Sequence, residues 1–580
     1  MSQPHGKPLS SQALKPYSPH AAMDHHSAPY PAHLVAVAVS SLLALAAPMA
    51  AHAQAAPDAG QILQQSRRAP PDAPKPGVQL KLNNPKSQLA LPGGRKVQVK
   101  ALSFGGNSVI DSKTLEAAVA DLLNTELDLA GLQSLAERVG LFYQQAGYPF
   151  ARAYLPPQEL SDGTLRVELL EGRYGQIKPI SSRPDWAEQA APYLSMLQPD
   201  TVIRSPELER SVLILGDLPG VAVTPLMQPG EKVGTGDLLV ELAPAPALVG
   251  SIGADNHGNR YSGAHRLQLN LDWNSPFSLG DQVSLRSLFS DQKLWLGSLG
   301  YSRPLGRHGL RAEASYSHSD YQLGKEFADS KAQGYAKTAS LGLSYPVLRS
   351  NAANVKLSMR YQYKRLQDRT LNGSDDKSSQ SLPLSLDFDR RNSLGLGGIS
   401  YGSLSVTNGR LRLSDALVGL DSNQTRGRFL KFNLDLVQQQ TVFTPDSSLY
   451  ARFSAQWADK NLDSSERISL GGISGVRAYP SGEGVGDRGA LAQLELRHNI
   501  GAATPFVMLD AGRVRINTVP TAGTAQNYRT LAGAGLGVRV NGERWQLEAA
   551  AAWSLKGGEP QADPITRHKP RLWLSLGYRI

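Results

Sequence analysis

The chain has 580 residues and a formal net charge of +10, and hydrophobic residues make up 41% of it. This length exceeds one ordinary domain, and the mean hydropathy of −0.29 excludes a bundle of apolar membrane-spanning helices. The lack of cysteine excludes disulfide frameworks, cysteine nucleophiles and thiolate metal sites, and the scattered lysines and arginines give no reason to expect a nucleic-acid partner.

One long apolar stretch runs from Leu34 to Ala51. It is rich in alanine and short for a membrane span, and the small-x-small pattern Ala51-His52-Ala53 at its end is typical of a signal-peptide cleavage site. We therefore expect residues 1–53 to be a cleaved secretory signal peptide rather than a membrane anchor.

Residues 54–92 combine a short helical pattern with a proline-rich stretch. The helical pattern runs from Ala59 to Arg68, and prolines recur in 70–76. Proline lacks a backbone donor and opposes both helix continuation and strand pairing. The sequence therefore predicts a short helix joined to the rest of the chain by a linker.

Two small α+β modules are predicted next, at 93–173 and 174–247. Each shows the order strand, helix, helix, strand, strand. In the first, we predict strands at 96–104, 150–155 and 164–170 and helices at 112–123, capped by Asp111, and 129–145. In the second, we predict strands at 174–180, 221–228 and 237–242 and helices at 185–197 and 205–215.

From Leu248 to Ile580 the helical period disappears, and apolar residues alternate with polar ones. A soluble β-sandwich alternates too, but its strands are mostly shorter than the roughly ten to fourteen residues predicted here. We therefore expect a transmembrane β-barrel of about sixteen antiparallel strands. With an even number of strands, the first and the last strand both have their chain ends on the periplasmic side, and the two modules that precede the barrel lie there too.

Loop lengths support a barrel in an outer membrane, where periplasmic turns are short and external loops are long. The predicted short turns are 304–309, 348–353, 500–505 and 540–544, and the predicted long loops are 323–334, 368–379, 409–426, 461–488 and 556–570. A lysine or arginine facing lipid at the midplane costs ~2–4 kcal/mol, so charged side chains should face the lumen. Aromatic residues near strand ends fit the membrane interfaces, namely Trp273, Tyr301, Tyr345, Trp457, Trp545 and Tyr578.

The longest predicted loop carries the most specific motif, within residues 470–489. Val476, Arg477 and Tyr479 resemble the Val-Arg-Gly-Tyr loop signature of the two-partner secretion transporters, the haemolysin-activator and filamentous-haemagglutinin-exporter family. Ala478 stands where the family usually has glycine. The resemblance implies that this loop folds back into the barrel.

The resemblance also implies that Arg477 meets an aspartate of a nearby strand's inner wall. That residue would be Asp510, in a segment that ends at Gly512 and has Met508 where the family often has an aromatic residue. By strand counting, the loop joins the eleventh and twelfth strands and Asp510 lies on the thirteenth. Arginine suits this role because its planar group can bind a carboxylate and carbonyls together. The alternative is a solvated arginine in a glycine-rich loop.

The two modules resemble the family's periplasmic POTRA domains, on the strength of segments 147–158 and 162–172. Such modules offer exposed strand edges that an unfolded polypeptide can join. The alternative is that they are rigid spacers. The candidate cargo-binding residues are Tyr148, Arg152, Tyr154, Pro156 and Gln158.

Two further segments match the family by position. The helix at 59–68 corresponds to the plug helix, which in the family occupies the lumen at rest. In this chain the predicted helix is short, so the sequence alone does not decide whether it plugs the lumen. Residues 255–263 match the first barrel hairpin, and we expect them to act mainly as an Asn/Gly-rich turn.

No pattern indicates an enzyme, a cofactor or a metal site. The glycines at 533–537 lie within a predicted strand, the 12 histidines show no ligand spacing, and no catalytic triad stands out. The predicted function is export of a large β-rich exoprotein of the adhesin or haemolysin type. The alternatives are an outer-membrane assembly insertase and a passive porin.

The expected partners follow from the resemblance and from the predicted barrel. They are a secreted exoprotein with an N-terminal secretion domain, outer-membrane lipid, and the barrel-assembly machinery that would insert this chain.

Overall fold

The computed structural model describes residues 56–67, 81–82, 93–160, 162–521, 526–564 and 570–580. The predicted signal peptide at 1–53 and the prolines of 70–76 lie outside these ranges. Helix α1 (Ala59–Arg67) and the short strand β1 (Lys81–Leu82) precede the first module. No helix within the described ranges is long and apolar enough to cross a membrane.

The first module contains β2 (Val97–Gln98), β3 (Ala101–Gly105), α2 (Ser112–Ala118), β4 (Glu126–Leu127), α3 (Leu129–Gln145), β5 (Arg152–Tyr154) and β6 (Thr164–Leu170). Strands β3, β6 and β5 form one sheet in that order, and both helices bury apolar side chains against it. Asp111 caps α2, because its carboxylate accepts the N–H of Thr114 at 2.9 Å. This hydrogen bond lowers the pKa of Asp111.

Two predicted boundaries in the first module are wrong. The strand predicted at 96–104 is interrupted at Val99, whose side chain is fully buried and whose carbonyl accepts the N–H of Asn124 at 2.7 Å. The helix predicted at 112–123 ends at Ala118, and a separate 3₁₀ turn follows at Ala120–Leu122. In both places the backbone hydrogen bonding changes while the apolar pattern continues, since Val99 bonds to Asn124 beyond the first helix and the N–H of Val119 bonds to the carbonyl of Glu116 in a tighter turn.

The second module contains β7 (Arg173–Ser181), α4 (Pro184–Leu194), α5 (Ser205–Gly216), β8 (Val221–Pro229) and β9 (Thr235–Pro244). Its sheet has the order β1-β8-β9-β7, so the strand β1 extends the sheet by pairing in parallel with β8. The helices cover the sheet through a buried core that includes Trp186, Leu215 and Leu238. The predicted helix at 185–197 ends earlier, because the N–H of Ser195 bonds to the carbonyl of Pro192 in a tighter turn.

The described residues of the C-terminal part form a closed antiparallel barrel of sixteen strands, which confirms the predicted fold class. Its first strands are β10 (Leu248–Asp255), β11 (Arg266–Asn274), β12 (Gln282–Ser290), β13 (Trp295–Leu305), β14 (Leu310–Gln322), β15 (Gln333–Arg349), β16 (Ala353–Thr370), β17 (Gly373–Asn392), β18 (Gly398–Leu413), β19 (Gly427–Thr441) and β20 (Ser447–Ala458), with α6 (Asp415–Val418) after β18. A short antiparallel pair, β21 (Ile468–Ser469) and β22 (Val485–Gly486), follows outside the barrel sheet. The last barrel strands are β23 (Arg488–His498), β24 (Ala503–Arg515), β25 (Tyr528–Asn541), β26 (Trp545–Lys556) and β27 (Arg571–Arg579). The barrel closes where β10 pairs with β27.

Many apolar side chains of the alternating pattern lie on the outer face of the barrel. On β27, Leu572, Leu574 and Leu576 are 63%, 52% and 51% exposed, whereas Trp573 between them is 3% exposed. Apolar side chains that point outward at every second position are suited to contact with lipid. The side chains between them line the lumen.

The predicted loop at 368–379 is wrong. Strand β16 continues to Thr370 and β17 begins at Gly373, so the segment forms a tight hairpin with paired strands on both sides. Residues 373–381 are mostly polar, so they lack the apolar alternation by which a strand is recognised from sequence.

Candidate functional site

Residues 459–487, between β20 and β23, fold back into the barrel, and we call them the in-folded loop. Inward side chains of the wall hold its backbone. The amide of Gln456 donates to the carbonyl of Glu466 at 3.0 Å, and that of Gln493 donates to the carbonyl of Gly475 at 2.8 Å. The loop is therefore part of the lumen's packing.

The tip of the in-folded loop is a compact turn. The N–H of Val476 donates to the carbonyl of Leu470 at 2.7 Å, and the N–H of Tyr479 donates to that of Val476 at 3.0 Å. Gly472 has a φ of 98°, a conformation that favours glycine. Val476 and Tyr479 are both 0% exposed, and the turn directs the side chain of Arg477 towards the barrel wall.

That side chain, Arg477, lies against Asp510, as the resemblance implied. Its Nε and Nη2 donate to the two carboxylate oxygens at 2.9 and 2.7 Å, and its backbone N–H adds a third bond at 3.0 Å. Its Nη1 donates to Glu495, and its carbonyl accepts the indole N–H of Trp573 at 2.7 Å. Removing one partner of such a buried pair costs ~3–5 kcal/mol. The alternative of a solvated arginine is excluded, since Arg477 is 2% exposed.

Glu495 on β23 extends this contact into a network that the motif analysis missed. Its carboxylate also lies 2.6 Å from Arg497 and 3.0 Å from Arg539, and Arg539 reaches Glu548 at 3.1 Å. The alternation of β23 carries a signal for it, because Glu495 falls on an inward position between the outward leucines 494 and 496. Arg477 is therefore bound by two carboxylates on two strands, Asp510 on β24 and Glu495 on β23, and we call these three residues the clamp.

Two glycines let the in-folded loop approach the wall. A Cβ at Gly512 would lie 2.7 Å from the side chain of Leu470, and a Cβ at Gly533 would lie 2.6 Å from the methyl group of Ala478. Ala478, the departure from the family signature, thus fills space that Gly533 leaves open. This packing gives the glycines at 533–537 a role in the wall.

Helix α1 lies in the lumen, against β15, β16 and the in-folded loop. The N–H of Ala59 donates to Asp368 at 2.7 Å, the hydroxyl of Ser464 donates to Asp58 at 2.6 Å, and Lys377 lies 3.4 Å from Asp58. Its apolar face packs in a buried cluster with Tyr261, Leu288, Leu294, Tyr321, Leu323, Ala332, Ala336 and Leu366.

The first barrel hairpin does more than turn the chain. The side-chain amide of Asn259 donates to the carbonyl of Ser481 at 3.1 Å, and the hydroxyl of Ser481 donates to the carbonyl of His257 at 2.8 Å. The expectation that 255–263 acts mainly as a turn was therefore incomplete, because the hairpin binds the in-folded loop.

A cavity of about 370 Å³ with a mixed polar and apolar lining remains between α1, the in-folded loop and the barrel wall. Its lining includes Gln61, Asn433, Asp435, Ser454 and Gln456. Across the described ranges, no group of three acidic or histidine side chains is arranged to hold a metal ion. Both α1 and the in-folded loop thus line the cavity that remains in the lumen.

The candidate cargo-binding residues of the first module do not form one patch. Arg152 and Tyr154 are exposed on β5, at the edge of the sheet. Tyr148 is half-buried and packs edge-on against Tyr143 at a ring distance of 5.8 Å. Gln158 instead exchanges two hydrogen bonds with the backbone of Arg166, at 2.7 and 2.8 Å.

Pro156 is half-buried after β5. Below this edge, the hydroxyl of Tyr143 donates to Glu171 at 3.0 Å, and burial raises the pKa of Tyr143. The first module therefore has a packed, hydrogen-bonded core and an exposed edge strand.

The second module contacts the barrel's short turns. Arg349 binds Asp217 through two nitrogens at 2.8 Å each, and Arg210 donates to the carbonyl of Pro346 at 2.8 Å. Leu279, in the turn between β11 and β12, belongs to the module's own core. The module is thus fixed to the short-turn end of the barrel.

Comparison with known proteins agrees with this architecture. The family described as "Haemolysin secretion/activation protein ShlB/FhaC/HecB" matches residues 234–540, and the "POTRA domain, ShlB-type" matches residues 97–172. The chain is 26% identical to the heme/hemopexin transporter protein HuxB of Haemophilus influenzae (strain 86-028NP), over 90% of this chain and 94% of that protein. It is 26% identical to the outer membrane transporter CdiB of Escherichia coli O6:K15:H31 (strain 536 / UPEC), over 71% of this chain and 72% of that protein.

The solved structure of CdiB from Escherichia coli shares the fold, with a TM-score of 0.66, 22% identity and coverage of 90% of this chain and 96% of that one. The family match covers more than half of the chain and includes both the in-folded loop and Asp510. The relatives are named as transporters, which favours export over the insertase alternative. The chain therefore belongs to the haemolysin secretion/activation family, and it is an outer-membrane protein transporter of the two-partner secretion type with periplasmic POTRA domains.

Proposed function

We propose that the clamp formed by Arg477, Asp510 and Glu495 sets the resting position of the in-folded loop, and that this position governs export of a β-rich exoprotein of the adhesin or haemolysin type. The observation that carries the proposal is the buried, fork-like contact of Arg477 with Asp510 at 2.7 and 2.9 Å. A loop held by a fully desolvated charge pair has one well-defined position, and leaving it requires that both charges find new partners.

The POTRA domains capture the cargo by strand addition in this proposal. Pairing of β1 with β8 supports it, because it shows that the edge of the second module's sheet accepts an added strand. The exposed edge strand β5 offers a second such edge in the first module. The cargo would present an N-terminal secretion domain while still unfolded.

Two further partners belong to the proposal. The outward leucines of the barrel would contact outer-membrane lipid, and the barrel-assembly machinery would insert the chain, as for a closed barrel that cannot thread itself into a bilayer. Folding of the cargo outside the cell would make backward movement unfavourable. Related proteins named as transporters of hemolysin and of heme/hemopexin support a secreted protein as the cargo class.

Arg477→Ala tests the clamp. Because removal of one partner from a buried ion pair costs ~3–5 kcal/mol, we expect at least about a tenfold loss of exoprotein from the medium. The assay uses the native host, where the neighbouring gene is expected to encode the exoprotein and deletion of the transporter gene gives the baseline. Heat-modifiable migration of the barrel verifies insertion.

Arg544→Ala serves as the matched control, because Arg544 lies exposed in the turn before β26. It should secrete normally. Undiminished secretion by Arg477→Ala, with the deletion strain silent, contradicts the proposal.

A further inference from the structure

A second charged contact holds the in-folded loop just after its tip, at Glu483. This carboxylate is 0% exposed. One of its oxygens accepts from the Nε and Nη2 of Arg529 on β25, at 3.0 and 2.6 Å. The other accepts the backbone N–H groups of Gln561 and Ala562, at 2.8 and 2.7 Å. Both N–H groups belong to the external loop between β26 and β27.

Arg529 connects the same external loop to the wall. Its Nη1 donates to the carbonyl of Gly557 at 2.6 Å, and its Nη2 donates to that of Glu559 at 3.0 Å. Glu483 therefore binds a strand residue and a loop backbone that are themselves joined. The carboxylate completes a bridge between three chain segments.

Tyr479 strengthens this bridge from the motif side. Its hydroxyl lies 2.9 Å from the carbonyl of Lys556 and 3.1 Å from that of Gly558. The end of β26 and the external loop after it thus contact the in-folded loop at Tyr479 as well as at Glu483. The tip cannot leave the wall until these contacts open.

The two charged contacts share no residue. Arg477 binds carboxylates on β23 and β24, whereas Glu483 binds β25 and the last external loop. The charges also have opposite placement, since the loop supplies the cation in one contact and the anion in the other. Each contact therefore holds the loop to a different part of the barrel.

We propose that Glu483 is a second positioning residue for export, and that with Arg529 it fastens residues 557–562 of the last external loop to the in-folded loop. The inference rests on the proposed function, because it takes the position of the in-folded loop to govern export. A carboxylate buried at this site needs its paired charge and its two N–H donors. Neutralising it removes the carboxylate charge that Arg529 binds, and it weakens the contact between the in-folded loop and residues 557–562.

The test measures exposure of the tip directly, in the full-length protein in intact cells. The chain has no cysteine, so Ser481→Cys introduces a single thiol close to Glu483. Ser481 is 9% exposed, and a membrane-impermeant maleimide should label this thiol slowly in the parent. Glu483→Gln should raise the labelling rate about tenfold, as for a contact worth ~1.4 kcal/mol.

Arg529→Lys keeps the charge but loses the fork, so we expect a smaller rise of about threefold. If Glu483→Gln fails to reach the outer membrane, the labelling rate of Arg529→Lys tests the second contact instead. Glu543→Gln, which removes an exposed carboxylate in the turn before β26, is the control and should label at the parental rate.

Arg477→Ala in the same reporter separates this inference from the proposed function. If Arg477→Ala raises labelling while Glu483→Gln and Arg529→Lys do not, the second contact is overturned and the first survives. If only the Glu483 and Arg529 variants raise labelling, the second contact stands and the clamp fails. Parental rates in all three variants overturn both.

Discussion

In the lumen, Arg477 and Asp510 are 2% and 4% exposed and bind each other, whereas in the first POTRA domain Tyr154 is 47% exposed on an edge strand. In the lumen, these charged side chains bind other groups of the same chain. The POTRA edge leaves side chains and backbone facing solvent. This difference supports the proposal that the in-folded loop is held in one arrangement in the lumen and that the exposed edge receives the cargo.

The contrast makes a strong prediction at Gly533, where the in-folded loop touches the wall. Gly533→Ala should destabilise the barrel by ~1–3 kcal/mol, because the new methyl group would overlap that of Ala478. The measurement is the midpoint of heat-modifiable migration. Ala478→Gly in the same chain should restore it, and a double variant as unstable as the single would show that this contact does not limit packing.

A weak effect on stability is expected at the POTRA edge. Arg152→Ala should change the free energy of unfolding by less than ~0.5 kcal/mol, because Arg152 is exposed. Secretion should nevertheless fall a few-fold, as for a contact worth roughly 1 kcal/mol. Arg95→Ala, an exposed arginine before β2, is the matched control. If Arg152→Ala destabilises the protein as Gly533→Ala does, the comparison between the two regions breaks.

The fold could be predicted from the sequence because barrel strands show a regular alternation of apolar and polar residues. The sixteen strands and their closure follow from that pattern, and the structure places the in-folded loop between β20 and β23 and Asp510 on β24. Alternation failed at 373–381, where polar side chains continue a strand. There the ladder, rather than burial of apolar surface, determines the conformation.

The site was less accessible to sequence reasoning. Arg477 and Asp510 could be paired only because their motifs resemble a family's. Glu483 and Arg529 are single residues separated in sequence by the barrel strands β23 and β24, and they carry no spacing signal, so their contact emerges from the packing of three segments. The role of Asn259 was hidden for a similar reason, since a turn residue that binds a distant carbonyl looks like any turn residue.

The most direct measurement of the central claim is a double-mutant cycle on the clamp. Arg477→Ala, Asp510→Ala and the double variant are compared for exoprotein in the medium, at equal levels of inserted barrel. If the two residues act as one clamp, the double variant should secrete no less than either single variant, because the contact is already lost. Losses that multiply in the double variant would contradict the account, since they would mean that Arg477 and Asp510 act separately.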